Sequence, residues 1–111
     1  MTTLLVLTNL PDRQSAELLA AGMIEQRLAA CVNIMAPCRS VYRWQGAVEQ
    51  ADEIPLFIKT TDGCYAALEA FIRATHPYET PEIVALPLSH GLPDYLGWVA
   101  AETASMSDSA R

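Results

Sequence analysis

The hydrophobic pattern of this 111-residue chain predicts an α+β sandwich built on an antiparallel sheet. Three observations lead there. Apolar residues recur at helical spacing over 13–27 and again over 62–75. Each of these stretches lies between extended, β-rich stretches. The two extended stretches between them, 30–45 and 47–61, are long and meet at Gly46, as the arms of a hairpin would.

The elements follow in order. Residues 3–8 hold four consecutive aliphatic side chains, Leu4 to Leu7, the mark of a short buried strand. Asn9, Leu10, Pro11 and Asp12 break it, and Asp12 is suited to cap a helix. Ala16, Leu19, Ala20, Met23, Ile24 and Leu28 then form an apolar stripe, with Arg13, Glu17, Glu25 and Arg27 off it. In the third element Val32 and Ile34 alternate with Cys31, Asn33 and Met35, Pro37 marks a bulge or bend, and Tyr42 and Trp44 share a face. In the fourth, Ile54, Leu56 and Ile58 alternate with Glu53, Phe57 and Lys59, and Pro55 calls for a bulge or an unpaired edge. Asp62 caps the second helix, whose stripe includes Cys64, Leu68 and Ile72 and which ends at His76-Pro77. A strand over 83–88 and a helix over about 93–103 complete the order β-α-β-β-α-β-α. The first six elements match the split β-α-β arrangement called ferredoxin-like. Residues 1–104 read as one such domain and 105–111 as a flexible tail with little to bury.

The hairpin has a consequence for assembly. Each arm has about 14 residues, roughly 45 Å at ~3.3 Å per residue. A domain of this size has a radius of gyration near ~13 Å. The tip at Trp44, Gln45 and Gly46 therefore projects beyond its own core, unless Pro37 and Pro55 break the arms into short strands. A lone two-stranded ribbon is marginal in water, and its edges invite another chain. Tyr42 and Trp44 supply apolar area of the kind that anchors interfaces. A closed homo-oligomer is the expectation.

Composition narrows the function. Net charge is −6, and the seven Lys and Arg residues are scattered. Without a basic run the chain lacks the field that nucleic acid or an anionic membrane surface requires, while cations are attracted weakly. No apolar run approaches the ~20 residues of a spanning helix, and the start shows no secretory pattern. Three cysteines without a Cys-x-x-Cys fit reduced thiols in a cytoplasm.

The chemistry-bearing stretch is His76-Pro77-Tyr78-Glu79-Thr80-Pro81-Glu82. Two prolines four residues apart stiffen a junction between a helix and a strand, and an imidazole, a phenol and two carboxylates crowd onto it. It serves either as a binding loop or as a connector whose polar groups cap a helix and face water. His76 and Glu79 are a candidate metal pair; His76 can equally cap the helix that it follows. Cys31 and Cys38 are seven apart, which without a bulge turns them to opposite faces and argues against a two-thiolate site. His90 beside Gly91 reads as a turn residue, and Glu49, Asp52 and Glu53 as a solvated strand face or a loose cation site. No catalytic triad order, nucleophile elbow, zinc-protease motif or phosphate-cradling glycine loop is present, so no enzyme is expected and no catalytic residue is assigned.

Several segments in register carry a resemblance. They are 27–34 (RLAACVNI), 40–46 (SVYRWQG), 58–60 (IKT), 76–79 (HPYE) with Pro81-Glu82, and 95–98 (YLGW). Over about residues 4–101 the chain resembles the CutA family, the divalent-cation tolerance proteins. The resemblance implies a ferredoxin-like subunit in a tight homotrimer with clasping hairpins, similar to the PII-type signalling trimers, in a bacterial cytoplasm. It links the chain to copper and other divalent cations. Enterobacterial-type members are assigned copper ligands at the positions of Thr8, Thr75 and His76, and of these only His76 is retained here. Tyr42, Trp44, Lys59, Tyr78 and Cys31 belong to the resembling segments and are expected at an inter-subunit pocket or interface. A copper-binding tolerance protein is the first reading, and a PII-like scaffold sensing a small ligand is the alternative.

Overall fold

A computed structural model describes residues 1–103. In chain order the elements are β1 (Thr3–Leu10), α1 (Arg13–Glu25), β2 (Cys31–Ile34), β3 (Cys38–Trp44), β4 (Ala47–Thr61), α2 (Asp62–Thr75), β5 (Val84–Pro87) and α3 (Pro93–Glu102). The expected tail, 105–111, lies outside the described residues. The sheet is antiparallel throughout, in the order β2-β4-β1-β5, with β3 paired to the distal part of β4. Mixed α/β architecture and an antiparallel sheet are as the pattern predicted.

The core lies between one face of this sheet and helices α1 and α2. Val6 and Leu10 of β1 and Ile54, Leu56 and Ile58 of β4 point into it, meeting Ala16, Leu19 and Met23 of α1 and Leu68 and Ile72 of α2. Gly22 lets α1 approach α2 closely, because a Cβ there would stand 2.7 Å from the Phe71 ring. Asp12 caps α1 as expected, accepting from the Ser15 amide at 2.8 Å.

Several details differ from the sequence expectation. β1 runs on through Asn9 and Leu10, because both still pair with β4 and Leu10 is fully buried. α1 stops at Glu25 rather than Arg27. Arg27 takes φ 59°, and the amides of Arg27 and Leu28 bond back to the carbonyls of Ile24 and Met23, a Schellman closure with arginine in the usual glycine position. α2 is capped at Thr61 with no side-chain bond; Asp62 is its first residue, with its charge at the positive end of the helix. Cys64, expected in the core, is half-buried and donates to the Thr103 carbonyl.

The central hairpin has one irregularity. Partner numbers sum to 90 along β2–β4 and to 91 along β3–β4, so residues 35–37 contain one extra residue opposite Ile54 and Pro55. The bulge expected at Pro37 is therefore present. The unpaired edge expected at Pro55 is present too: Ile54 and Pro55 fall between the β2 and β3 pairings, while on the other side β4 keeps a single register with β1 from Thr61 to Ile54. Pro55 faces β2 with its carbonyl, which accepts from the Met35 amide at 2.9 Å. In an antiparallel pair a residue's nitrogen and oxygen point the same way. The donor that proline lacks would thus aim at the segment already leaving the ladder, so nothing is lost there.

This offset also revises the cysteine argument. Cys31 pairs with Lys59 and Cys38 with Glu53, both on one face of β4. The two thiols share a side, but six β4 residues, roughly 20 Å, separate them. They form no pair, for distance rather than orientation. At the tip, Gln45 (φ 50°) and Gly46 (φ 84°) both have positive φ, the signature of a type I′ turn. The described structure measures 50 × 28 × 23 Å, and the ribbon makes the long axis.

Candidate functional site

The segment after α2 crosses the end of β1 and forms a cleft with the hairpin. His76 ends α2, its amide bonding the Ile72 carbonyl at 2.8 Å. Its ring is buried and both nitrogens are engaged. Nε2 donates to the Asn9 carbonyl at 2.7 Å, and Nδ1 accepts from the Tyr78 amide at 3.1 Å. That pattern requires the neutral Nε2–H tautomer. Burial pushes the His76 pKa down, outweighing the opposing pull of the Asn9 carbonyl and the Glu53 charge.

The Tyr78 ring packs 4.8 Å from the imidazole and its hydroxyl donates to Glu53 Oε2 at 2.8 Å. Glu53 is a buried carboxylate, with 8% of its surface exposed. Burial, the bond to Glu53 and the nearby negative charge raise the Tyr78 pKa well above its ordinary value. Further along, Asn9 Nδ2 donates to Glu82 Oε1 at 3.3 Å, tying the end of the segment to β1.

Between these groups and the hairpin lies a cavity of about 690 Å³. Tyr42, Trp44 and Tyr78 supply aromatic lining, and Glu53, Glu79 and Glu82 supply carboxylates; among the described residues no lysine or arginine lines it. Register explains the aromatic wall. Cys38, Ser40, Tyr42 and Trp44 share a face with Glu53, whereas Arg39 and Arg43 lie on the other face, where Arg39 pairs with Asp52 at 2.7 Å.

The sequence-predicted residues therefore separate into two places. Tyr42, Trp44, Tyr78 and Glu79 meet at the cleft, while His76 stands behind Tyr78 and is not in the lining. Cys31 and Lys59 pair with each other farther along the sheet, where Lys59 Nζ and the Cys31 thiol both donate to Asn33 Oδ1. Of the positions matched to enterobacterial ligands, Thr8 is buried with the core-facing residues and its Oγ1 has no partner among the described residues, and Thr75 Oγ1 bonds the Phe71 carbonyl. Among the described residues no three His, Cys, Asp or Glu side chains converge as a metal site would.

Sequence reasoning missed Asn9 as a site residue and placed Glu53 with Glu49 and Asp52 on a solvated strand face or a loose cation site; alternation alone divides Asp52 from Glu53, and Glu53 has the 76–82 segment over it. Asn9 was read as a strand breaker.

A second surface bears on assembly. Across the face of the sheet away from α1 and α2, register aligns Cys31, Lys59, Leu5 and Leu86 in one row and Asn33, Phe57, Leu7 and Val84 in the next. Phe57, Val84 and Leu86 are exposed in the single chain.

Comparison with known proteins gives a consistent answer. Residues 4–102 match the family model described as CutA1 divalent ion tolerance protein. The divalent-cation tolerance protein CutA of Thermus thermophilus is 44% identical over 98 residues, covering 88% of this chain and 95% of that protein. The mouse protein CutA is 42% identical over 99 residues; the chain spans 56% of its length. Among solved structures, the Thermus thermophilus divalent cation tolerance protein superposes with a TM-score of 0.90 at 42% identity, covering 92% of this chain and 99% of that one. CutA1 from Oryza sativa gives 0.91 at 36% identity, covering 94% and 95%. A similar structure from Archaeoglobus fulgidus, with a TM-score of 0.89 at 34% identity, is called periplasmic.

Proposed function

We propose that this chain, which belongs to the CutA1 divalent ion tolerance family, is a non-enzymatic homotrimer that binds a divalent cation, with copper the favoured ion. The observation that carries this reading is the cleft, where three carboxylates gather without a lysine or arginine in the lining. Glu79 lies on the cleft surface and supplies one ligand. His76 joins it by giving up the Tyr78 amide at Nδ1, and neighbouring copies supply the remaining ligands that one chain does not bring together. The projecting ribbon and the exposed apolar rows of the sheet support the trimer. The absence of catalysis is supported by Ser40, the serine in the lining, whose one side-chain partner among the described residues is the Cys38 thiol rather than a base. Three free cysteines support a reducing, cytoplasmic location, and no helix among the described residues is long and apolar enough to cross a membrane.

Calorimetric titration with Cu(II) and Zn(II) tests the reading. Saturable binding, stoichiometric with the trimer and weakened by Glu79→Gln and His76→Ala, is expected. No binding below millimolar metal overturns the metal role, equal binding by His76→Ala removes that ligand, and a monomer-sized mass by light scattering overturns the trimer.

The size of the cavity favours a second reading. About 690 Å³ is more than one ion needs and falls in the range, ~300–1,000 Å³, that holds small organic ligands. On this reading the protein is a PII-like scaffold whose clefts sense a small molecule.

A further inference from the structure

We propose that the cleft between the hairpin and residues 76–82 takes an organic ammonium ion, specifically an alkyl diamine or polyamine. The inference rests on the small-ligand reading of the cleft and is independent of the metal reading.

The argument begins with the walls. Trp44 and Tyr42 stand on one side of the cavity and Tyr78 on the other. Aromatic faces attract alkylammonium groups through their quadrupoles and cover methylenes by apolar contact. A hydrated metal ion gains little from such walls. The carboxylates are also arranged differently from a metal site. Glu53 is held by a phenol and Glu82 by a side-chain amide, each at its own part of the cleft, and they do not converge on a point. A chain of ammonium groups separated by methylenes matches separated carboxylates with aromatic surface between them.

Glu53 makes this more than a cluster of acids. The residue as a whole is more than nine-tenths buried, yet it belongs to the cavity lining. Tyr78 occupies Oε2, and no donor among the described residues reaches Oε1. A buried carboxylate with a free oxygen gains most from a cation that also donates a hydrogen bond, as a primary ammonium does. Arg39 and Arg43, the nearest cations on the adjoining strand β3, face away by alternation and do not neutralise it.

The test uses the full chain carrying Trp98→Phe, which leaves Trp44 as the single tryptophan reporter in the cleft. Hexane-1,6-diamine and hexane-1,6-diol, of equal length but different charge, are titrated at fixed ionic strength while Trp44 fluorescence is followed. Saturable diamine binding is expected, at one molecule per cleft. Glu79→Gln is expected to weaken it about tenfold, as is Glu53→Gln, which retains an acceptor for Tyr78. Equal binding of the diol overturns the ammonium claim while leaving a ligand cleft. Binding of neither probe overturns both. A diamine response that magnesium chloride reproduces, or that neither variant alters, is screening of an acidic surface and also overturns it.

Discussion

The two halves of β4 are one strand in two environments. From Ile54 to Thr61 it runs between β1 and β2 with helices over one face, and Leu56 and Ile58 have no exposed surface. From Ala47 to Glu53 it pairs with β3 alone, and Val48 is 63% exposed. The inner half is stabilised by its own chain. The outer half has the hydrogen bonds of a ladder but almost no burial, and burial is the larger source of stability. The difference shows that half of this strand is left unburied by its own chain, which is what the proposed trimer would cover.

Substitutions along the strand test that contrast. Ile58→Ala in the inner half should cost about 2–5 kcal/mol in denaturant unfolding, through lost burial and the cavity left behind. Tyr78→Phe comes next, at about 1.5–3 kcal/mol, because it removes the hydroxyl that satisfies the buried Glu53 carboxylate where the halves meet. Val48→Ala should shift stability by no more than ~0.5 kcal/mol if the ribbon stands free. A larger loss that depends on protein concentration would show that a neighbour covers it. Arg39→Ala, which removes an ion pair whose side chains are 60% and 71% exposed, should cost no more than about 1 kcal/mol and less in high salt.

The junction also gives a pH dependence. Burial holds the His76 pKa below the ordinary ~6.5. On acidification the unfolded chain takes up this proton before the folded one does. The stability contribution is therefore complete above pH ~6.5 and declines as pH falls through that value toward the lower folded pKa. Protonation of Nδ1 also breaks its bond with the Tyr78 amide. His76→Gln should flatten the stability slope below about pH 6.5 while leaving the inner strand intact.

The sequence made the elements legible because their periodicities are local. The stripe of Leu68 and Ile72, the alternation of Ile54, Leu56 and Ile58, and the Gln45-Gly46 turn each need only a few residues to be seen. What was not legible depends on contacts distant in sequence. Asn9 looked like a breaker until its pairing with Pro55 carried β1 onward. Glu53 looked solvated because its cover comes from Tyr78, 25 residues away. The aromatic side of the cleft, Tyr42 with Trp44, and the carboxylates of the proline-braced segment, Glu79 and Glu82, were visible in the sequence, whereas the part that Glu53 and Asn9 play beside them was not. Cys31 and Lys59 travelled with the resembling segments but belong to another part of the sheet.

The extra residue at 35–37 decides which side of the ribbon the aromatics occupy. Even-numbered positions point toward the helices in Val32 and Ile34, and toward the opposite side in Tyr42 and Trp44. A one-residue slip that carried the inner register on through β3 would set Tyr42 opposite Val48 and Arg39 opposite Ala51, turning the aromatics away and bringing Arg39 and Arg43 round in their place. Two cations would then confront three acids where indole and phenol rings had stood. Deleting Ala36 has the contrary effect: it flattens the kink and leaves every partner of β3 where it was.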